Sequence, residues 1–404
     1  MKVLMINSVS GYGSTGTICE DIAFVLEKEG HECFIAYGQA TTNYKKSFKI
    51  GTILENHLHN LGSRIFGKQG YFTQSGTKKL LNHIDSINPD IIHLHNLHGN
   101  YLNLPLLFEY LIKLEKPIVW TFHDCWAFTG KCAHYTDVAC YKWQSHCDHC
   151  PQTKKYPPSL FLDKSKLMFF DKKKWFTSIK NLRVVTVSNW LENEVKKSFF
   201  KSYPIKTIYN WVDTEIFKSI DSKDVITEYG LNTNAFTVLL VSAHWNENDV
   251  KWKDLLALSK LVSNDVQLIV IGHIENKSKS PKNVFHINYI NSKIKLAQLY
   301  SFSDVYVHLS TEDTFGKVIA EALSCGTPAI VYDSTACPEI IGEGCGYVVE
   351  KRNVNQMAGA INTIKKNPKT FYSANCRNYV IENFNIYSNI HATIDIYKSL
   401  KNDI

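Results

Sequence analysis

The chain reads as an α/β protein built from two doubly wound parallel sheets in tandem, facing a central cleft. Three observations predict this. Short β-branched runs alternate with helical stretches, the alternation restarts near the middle, and 404 residues are too many for one core. Strand–helix alternation implies parallel strands with helices on both faces of the sheet. Single hydrophobic cores seldom grow past about 250–300 residues.

The first half opens on the buried-type run Val3-Leu4-Met5-Ile6, then a glycine-rich turn. A helix follows, with Ile18, Ile22, Val25 and Leu26 on one face and Gly30 as its stop. Further strands are expected at 33–37, 91–94, 118–122 and 184–187. The second series is expected at 237–241, 266–271, 284–287, 305–309 and 329–331. Residues 204–217 form the join. This gives a Rossmann-like domain over 1–209 with a cysteine-rich insertion at 125–160, a second over 210–385, and a closing helix at 386–404 that crosses back to the first. In such folds the ligand lies at the carboxyl ends of the strands.

Composition narrows the function. With 44% hydrophobic, 21% charged and 12% aromatic residues the chain is not disordered. No apolar run approaches the roughly 18–20 residues of a membrane span, and the first strand is not a signal peptide, so a cytoplasmic protein is expected. The net charge of +7 with a pI near 8.7 falls short of a dedicated nucleic-acid binder. The run Lys172-Lys173-Lys174-Trp175-Phe176 suits peripheral contact with an anionic inner membrane face or a phosphate-bearing substrate, or else a solvated helix face. Eleven cysteines, an odd number without a secretion signal, do not describe a disulfide framework.

Gly11-Tyr12-Gly13-Ser14-Thr15-Gly16 fits G-x-G-x-x-G between a strand and a helix. A nicotinamide site also requires an acidic residue at the end of the second strand, and Ala36-Tyr37-Gly38-Gln39 has none. The loop therefore reads as a tight turn facing the cleft, with Gly13 on its surface, and an NAD-dependent oxidoreductase is disfavoured.

The most informative segment runs from Ser310 to Pro328. It follows a strand, offers Asp313 or Thr314 as N-cap, and stops at Gly326 with Pro328 behind it. Gly316 keeps the first turn open to an anion. Asp313 and Glu321, eight residues apart, would stand about 12 Å apart on one helix at 1.5 Å per residue. That separation suits a nucleotide sugar, with a carboxylate for the hydroxyls at each end.

An acidic residue, Phe315-Gly316, then Glu321 and a small-x-Gly-x-Pro ending resemble the signature of the retaining GT-B glycosyltransferases of family 4. Ile208-Tyr209-Asn210-Trp211-Val212-Asp213 with Phe217, Thr121-Phe122-His123-Asp124 and Val187-Ser188 are similar to further family motifs, in order along the chain. The resemblance implies transfer of a sugar from a UDP- or GDP-sugar to a hydroxyl of a saccharide or lipid-linked saccharide. It places the ribose hydroxyls on Glu321, the transferred sugar on Asp313 or Glu312 with Thr314 beside them, and the sugar and phosphates near the Phe315 and Gly316 amides. His123 would act at the reacting centre, with His95 and Gly13 on the acceptor side. Lys253 matches the family's phosphate-binding lysine, with Lys251 and Tyr289 completing the donor side; the family's arginine position holds Ala243 or His244. No metal is required for catalysis and no protein nucleophile is implied. A non-catalytic nucleotide-sugar-binding protein is the other reading compatible with that altered cation clamp.

Two clusters remain. His93, His95 and His98 at a strand end have a spacing that could bind zinc, or else line the acceptor side. Cys132, Cys140, Cys147 and Cys150, spaced C-x7-C-x6-C-x2-C, either close a structural zinc site or are reduced thiols, with His134, His146 and His149 as alternative ligands.

Overall fold

The computed structural model describes residues 1–275, 281 and 283–402. The chain divides into two compact units, residues 1–208 with 390–404, and residues 209–389.

Unit 1 contains, in order, β1 (Lys2–Asn7), α1 (Gly13–Lys28), β2 (Glu32–Tyr37), β3 (Ser47–Lys49), α2 (Ile53–Phe66), α3 (Gln74–Ile87), β4 (Ile91–Leu94), α4 (Leu104–Leu114), β5 (Ile118–Phe122), α5 (Ser165–Phe176), β6 (Leu182–Thr186), α6 (Asn189–Lys196) and β7 (Ile205–Thr207). Its sheet is parallel throughout in the order β3-β2-β1-β4-β5-β6-β7. The central strands are buried on both faces, which is why they read as unbroken apolar runs. Trp120 on β5 anchors the core, with ring centroids 4.8 Å from Phe176 and 5.1 Å from Phe122. Helix ends follow local chemistry. Thr52 and Glu55 form a reciprocal capping box on α2, which stops at left-handed Gly67.

Unit 2 contains α7 (Lys223–Tyr229), β8 (Phe236–Trp245), α8 (Val250–Leu261), β9 (Val266–Ile274), β10 (Val284–Ile287), α9 (Lys293–Phe302), β11 (Val305–His308), α10 (Lys317–Ser324), β12 (Ala329–Asp333), β13 (Gly346–Glu350), α11 (Val354–Ile364) and α12 (Thr370–Asn383). Its parallel sheet has the order β10-β9-β8-β11-β12-β13. Arg377 on α12 clamps the stretch before α7 to α10: Nη1 donates to the carbonyls of Phe217 (2.6 Å) and Ser324 (3.1 Å), Nη2 to that of Thr214 (2.8 Å).

The last helix, α13 (Ile386–Asn402), contributes to unit 1 from residue 390 onward. Tyr397 shares a 2.5 Å hydrogen bond with His93 of β4, and His391 lies 2.8 Å from Glu29. No described helix is long and apolar enough to cross a membrane.

The lysine run on α5 corrects the expected membrane patch. Lys172 is buried and its Nζ donates to the Trp126 (2.7 Å) and Thr129 (3.2 Å) carbonyls, while Phe176 is fully buried. Helical spacing puts these two residues on the core face, leaving Lys173 and Lys174 exposed. The run is neither a continuous surface patch nor a solvated face.

Candidate functional site

Unit 2's sheet winds outward in both directions from β8 and β11, so the carboxyl ends of those neighbouring strands flank a crevice. A cavity of about 220 Å³ lies there, lined by Ser242 and Trp245 of β8, Lys251 of α8, His308 at the end of β11, and Asp313 and Val318 beyond it. Its walls are set by a backbone irregularity. Between Val241 and His244 the pairing of β8 with β9 shifts register. There the Ser242 carbonyl comes so close to Gly272 (φ +129°) that a Cβ would sit 1.7 Å from it, so only glycine fits. Lys251 Nζ donates to Ser242 Oγ at 2.7 Å and lies 5.7 Å from the Trp245 ring centroid. Burial pulls its pKa down against the nearby Asp249 charge.

This corrects the lysine assignment. The cation brought to the cavity is Lys251, whereas Lys253 is exposed. Residues two apart on a helix are separated by about 200°, and the buried positions on either side of Lys253 are taken by Trp252 and Asp254. Tyr289 is also elsewhere, exposed on the loop before α9, where it borders a separate surface cavity with Tyr229 and Lys295.

The acidic turn differs from expectation too. α10 begins only at Lys317, and its N-cap is Gly316 in the left-handed region (φ +84°). Asp313 is not the cap. Its Oδ1 accepts the amides of Phe315 (3.2 Å) and Gly316 (2.8 Å), folding 313–316 into a separate turn. Those two amides are therefore engaged with Asp313, and the 12 Å helical rise from Asp313 to Glu321 does not apply. Asp313 Oδ2 lies 3.4 Å from His308 Nε2, and His308 Nδ1 shares a 3.0 Å hydrogen bond with Tyr306. The Asp313 amide donates to Thr335 Oγ1 at 3.0 Å, bracing the turn against the loop after β12. Glu312 is half-buried and Thr314 buried in the same turn. Glu321 is buried on α10, and burial raises its carboxyl to about 7 against the opposing fields of Lys317 and Lys293.

In unit 1 the histidines of β4 and the segment after it meet the end of β5. His93 is held between Thr121 Oγ1 (2.8 Å) and Tyr397, and His95 Nδ1 shares a 3.0 Å hydrogen bond with His123 Nε2. Burial lowers His93 to about 3 and His123 to about 4, and takes His95 well down, so all three are neutral at physiological pH. His98 pairs with Asp124 at 2.7 Å and Tyr156 at 2.8 Å; burial pushes the Asp124 carboxyl up, but His98 and the Trp126 amide hold it at about 2. Each histidine thus has its own hydrogen-bond partner, and the three do not share one centre as a zinc site would require. The glycine loop closes on itself: Gly11 N donates to Gly16 O at 3.1 Å, and Gly13, with φ +63°, begins α1 exposed. Cys132, Cys140, Cys147 and Cys150 of the β5–α5 segment line one small cavity.

Ser242 and His308 escaped the sequence reading. Their only signal is position, toward the carboxyl ends of the two strands that flank the switch point.

Two doubly wound parallel units, the second with a cation and a helix start lining its switch-point crevice and a buried glutamate further along that helix, define a GT-B architecture. The family model for glycosyltransferase family 4 matches residues 15–216, and that for glycosyl transferases group 1 matches 233–383. The chain belongs to glycosyltransferase family 4. It is similar to the putative colanic acid biosynthesis glycosyl transferase WcaC of Escherichia coli, 27% identical over 67% of this chain and 66% of that protein. It also resembles the N-acetyl-alpha-D-glucosaminyl L-malate synthase of Bacillus anthracis, 27% identical over 41% of this chain and 46% of that one. These alignments span less than two thirds of either relative. Among solved structures, a sucrose-phosphate synthase from Thermosynechococcus elongatus superposes over 100% of both chains (TM-score 0.71, 16% identity). Anabaena HepE in complex with UDP and glucose superposes over 99% of this chain and 100% of its own (TM-score 0.67, 16% identity). At these identities the structures show the shared fold.

Proposed function

We propose that the chain moves a sugar, with retention, from a UDP- or GDP-sugar to a hydroxyl of a saccharide or lipid-linked saccharide in polysaccharide or glycolipid synthesis. One observation carries the reading: Lys251, fixed by Ser242, stands in the switch-point cavity beside the start of α10. A nucleoside diphosphate leaving group gains negative charge as the glycosidic bond breaks, and a preorganised cation with helix-start amides stabilises that charge. With the Phe315 and Gly316 amides held by Asp313, the donors left for phosphate in the first turn are those of Lys317 and Val318. Glu321 accepts the ribose hydroxyls in its ionised form. The transferred sugar meets Glu312 and the Oδ2 edge of Asp313. We assign the acceptor to the carboxyl end of unit 1's sheet, where His95 and His123 present neutral imidazoles. Retention follows if the departing phosphate takes the acceptor proton on the face it leaves, with no protein nucleophile.

The names of similar proteins support this class of donor and product. HepE was crystallised with UDP-glucose, a mycobacterial relative is described as a GDP-mannose-dependent mannosyltransferase, and WcaC as acting in colanic acid biosynthesis. The test is mass-spectrometric detection of nucleoside diphosphate released from UDP-, GDP- and ADP-sugars. Release from one donor, retained in Lys253→Ala and lost in Lys251→Ala and Glu321→Ala, is the expected result. Stabilisation by a nucleotide with no release in the presence of any saccharide acceptor would favour a binding protein. Stabilisation by NAD alone would overturn the reading.

A further inference from the structure

Between β5 and α5 the chain runs from residue 123 to 164 with one regular element, a single 3-10 turn at Lys142–Gln144. Loops of that length inside a compact domain need something other than backbone pairing to hold them. Cys132, Cys140, Cys147 and Cys150 all line one cavity of about 20 Å³, room for a single small occupant. None of the eleven cysteines is in a disulfide. Cys132 Sγ and Cys150 Sγ stand 3.9 Å apart. That is far beyond a sulfur–sulfur bond of about 2.05 Å. It is close to the edge of a zinc–thiolate tetrahedron, about 3.8 Å for bonds of about 2.3 Å.

The surroundings suit thiolates. The Gly130 amide donates to Cys147 Sγ at 3.1 Å and the Gln152 amide to Cys150 Sγ at 3.4 Å. Trp143, 1% exposed, lines the same cavity, and its indole N–H has no hydrogen-bond partner among the described residues. Two lysines are buried beside the cluster. Lys131 Nζ donates to the Thr153 carbonyl at 2.7 Å and Lys172 Nζ to the Trp126 and Thr129 carbonyls. Those acceptors are neutral, and a buried lysine is rare without a counter-charge. The more distant fields of Asp163 on Lys131 and Asp124 on Lys172 are single carboxylates.

We propose that these four cysteines bind one zinc ion as a tetrathiolate and that the ion holds the β5–α5 segment in its fold. Four thiolates on Zn²⁺ carry a net charge of −2, matched by the Lys131 and Lys172 ammonium groups, and Trp143 gains a sulfur acceptor. As placed, no three His, Cys, Asp or Glu side chains among the described residues converge on one point. Binding therefore requires the Cys140 and Cys147 side chains to turn inward onto the Cys132–Cys150 edge. Each thiol that binds releases one proton, and no redox change is involved.

The experiment uses the whole chain, purified with a thiol reductant and no chelator. Elemental mass spectrometry should find about one zinc per chain, and Co²⁺ exchanged for it should show the intense visible bands and sulfur charge transfer of a tetrahedral tetrathiolate. Cys147→Ser and Cys150→Ser should cut metal content to below about one fifth, while Cys345→Ser in unit 2 leaves it unchanged. The wild-type cobalt spectrum decides the matter even if the cysteine variants fail to fold. A folded wild type with no stoichiometric metal and a cobalt spectrum lacking sulfur charge transfer would overturn the proposal. So would a Cys132–Cys150 disulfide found in the protein as it exists in the cell.

Discussion

At the carboxyl end of unit 1's sheet stand three histidines no more than 9% exposed, neutralised by burial and hydrogen-bonded to one another or to hydroxyls. At the same end of unit 2's sheet stand a lysine reaching into a 220 Å³ cavity and, on the helix beyond, a buried glutamate raised to about 7. Both sheets are doubly wound and parallel, so topology does not make the difference; the side chains at the strand ends do. Burying a group in its neutral form has opposite consequences for an acid and a base. A histidine with a depressed pKa stabilises the fold above its unfolded value and loses that contribution as pH falls. A carboxyl with a raised pKa stabilises below its unfolded value and loses that contribution as pH rises. The two units therefore respond to acid with opposite sign at these positions.

The largest effect that can break this comparison lies in unit 1. His93 alone, held at about 3 against an ordinary 6.5, should cost the fold about 3–5 kcal/mol between pH 6.5 and pH 3. His93→Gln, which keeps hydrogen bonding without titrating there, should flatten that slope in urea unfolding followed by hydrogen exchange in β4 and β5. An unchanged slope would mean the ring is protonated in the native protein. Glu321 gives the opposite test. From an ordinary 4.5 to about 7, it should remove about 3 kcal/mol from unit 2 as pH rises through that range. Glu321→Gln should abolish this. In the same protein, nucleotide affinity should rise about tenfold from pH 6 to pH 8 as the carboxylate forms, and the Gln variant should show no such rise. Smaller again is the cation. Lys251→Ala should weaken nucleoside diphosphate binding by about 1.5–3 kcal/mol in calorimetry, and Lys253→Ala by less than about 0.5 kcal/mol. Equal effects from the two would put the phosphates outside the Ser242 cavity.

What could be read from the sequence divides along physical lines. Every strand buried on both faces was visible as an apolar run, from Val3-Leu4-Met5-Ile6 to residues 329–331. The three that were missed, β3, β7 and β13, lie at sheet edges. Ser47–Lys49 and Ile205–Thr207 are three residues long and half-exposed, so no apolar pattern is needed to form them. The acidic turn was visible as composition but not as geometry, because Asp313 could cap α10 or close its own turn, and only the backbone at Gly316 distinguishes these. The choice between Lys251 and Lys253 depended on helix phase, which two adjacent lysines around a tryptophan do not reveal. Lys172 looked like surface because the carbonyls that satisfy it belong to residues more than forty positions away.

Unit 1 is completed by α13, whose Tyr397 closes the His93 hydrogen bond and whose His391 and Lys398 meet Glu29. On the ribosome those residues emerge only after all of unit 2 has been made. Of the two units, the one whose synthesis starts first is thus the one completed after the other, and His93 waits for its phenol through some three hundred further residues of synthesis.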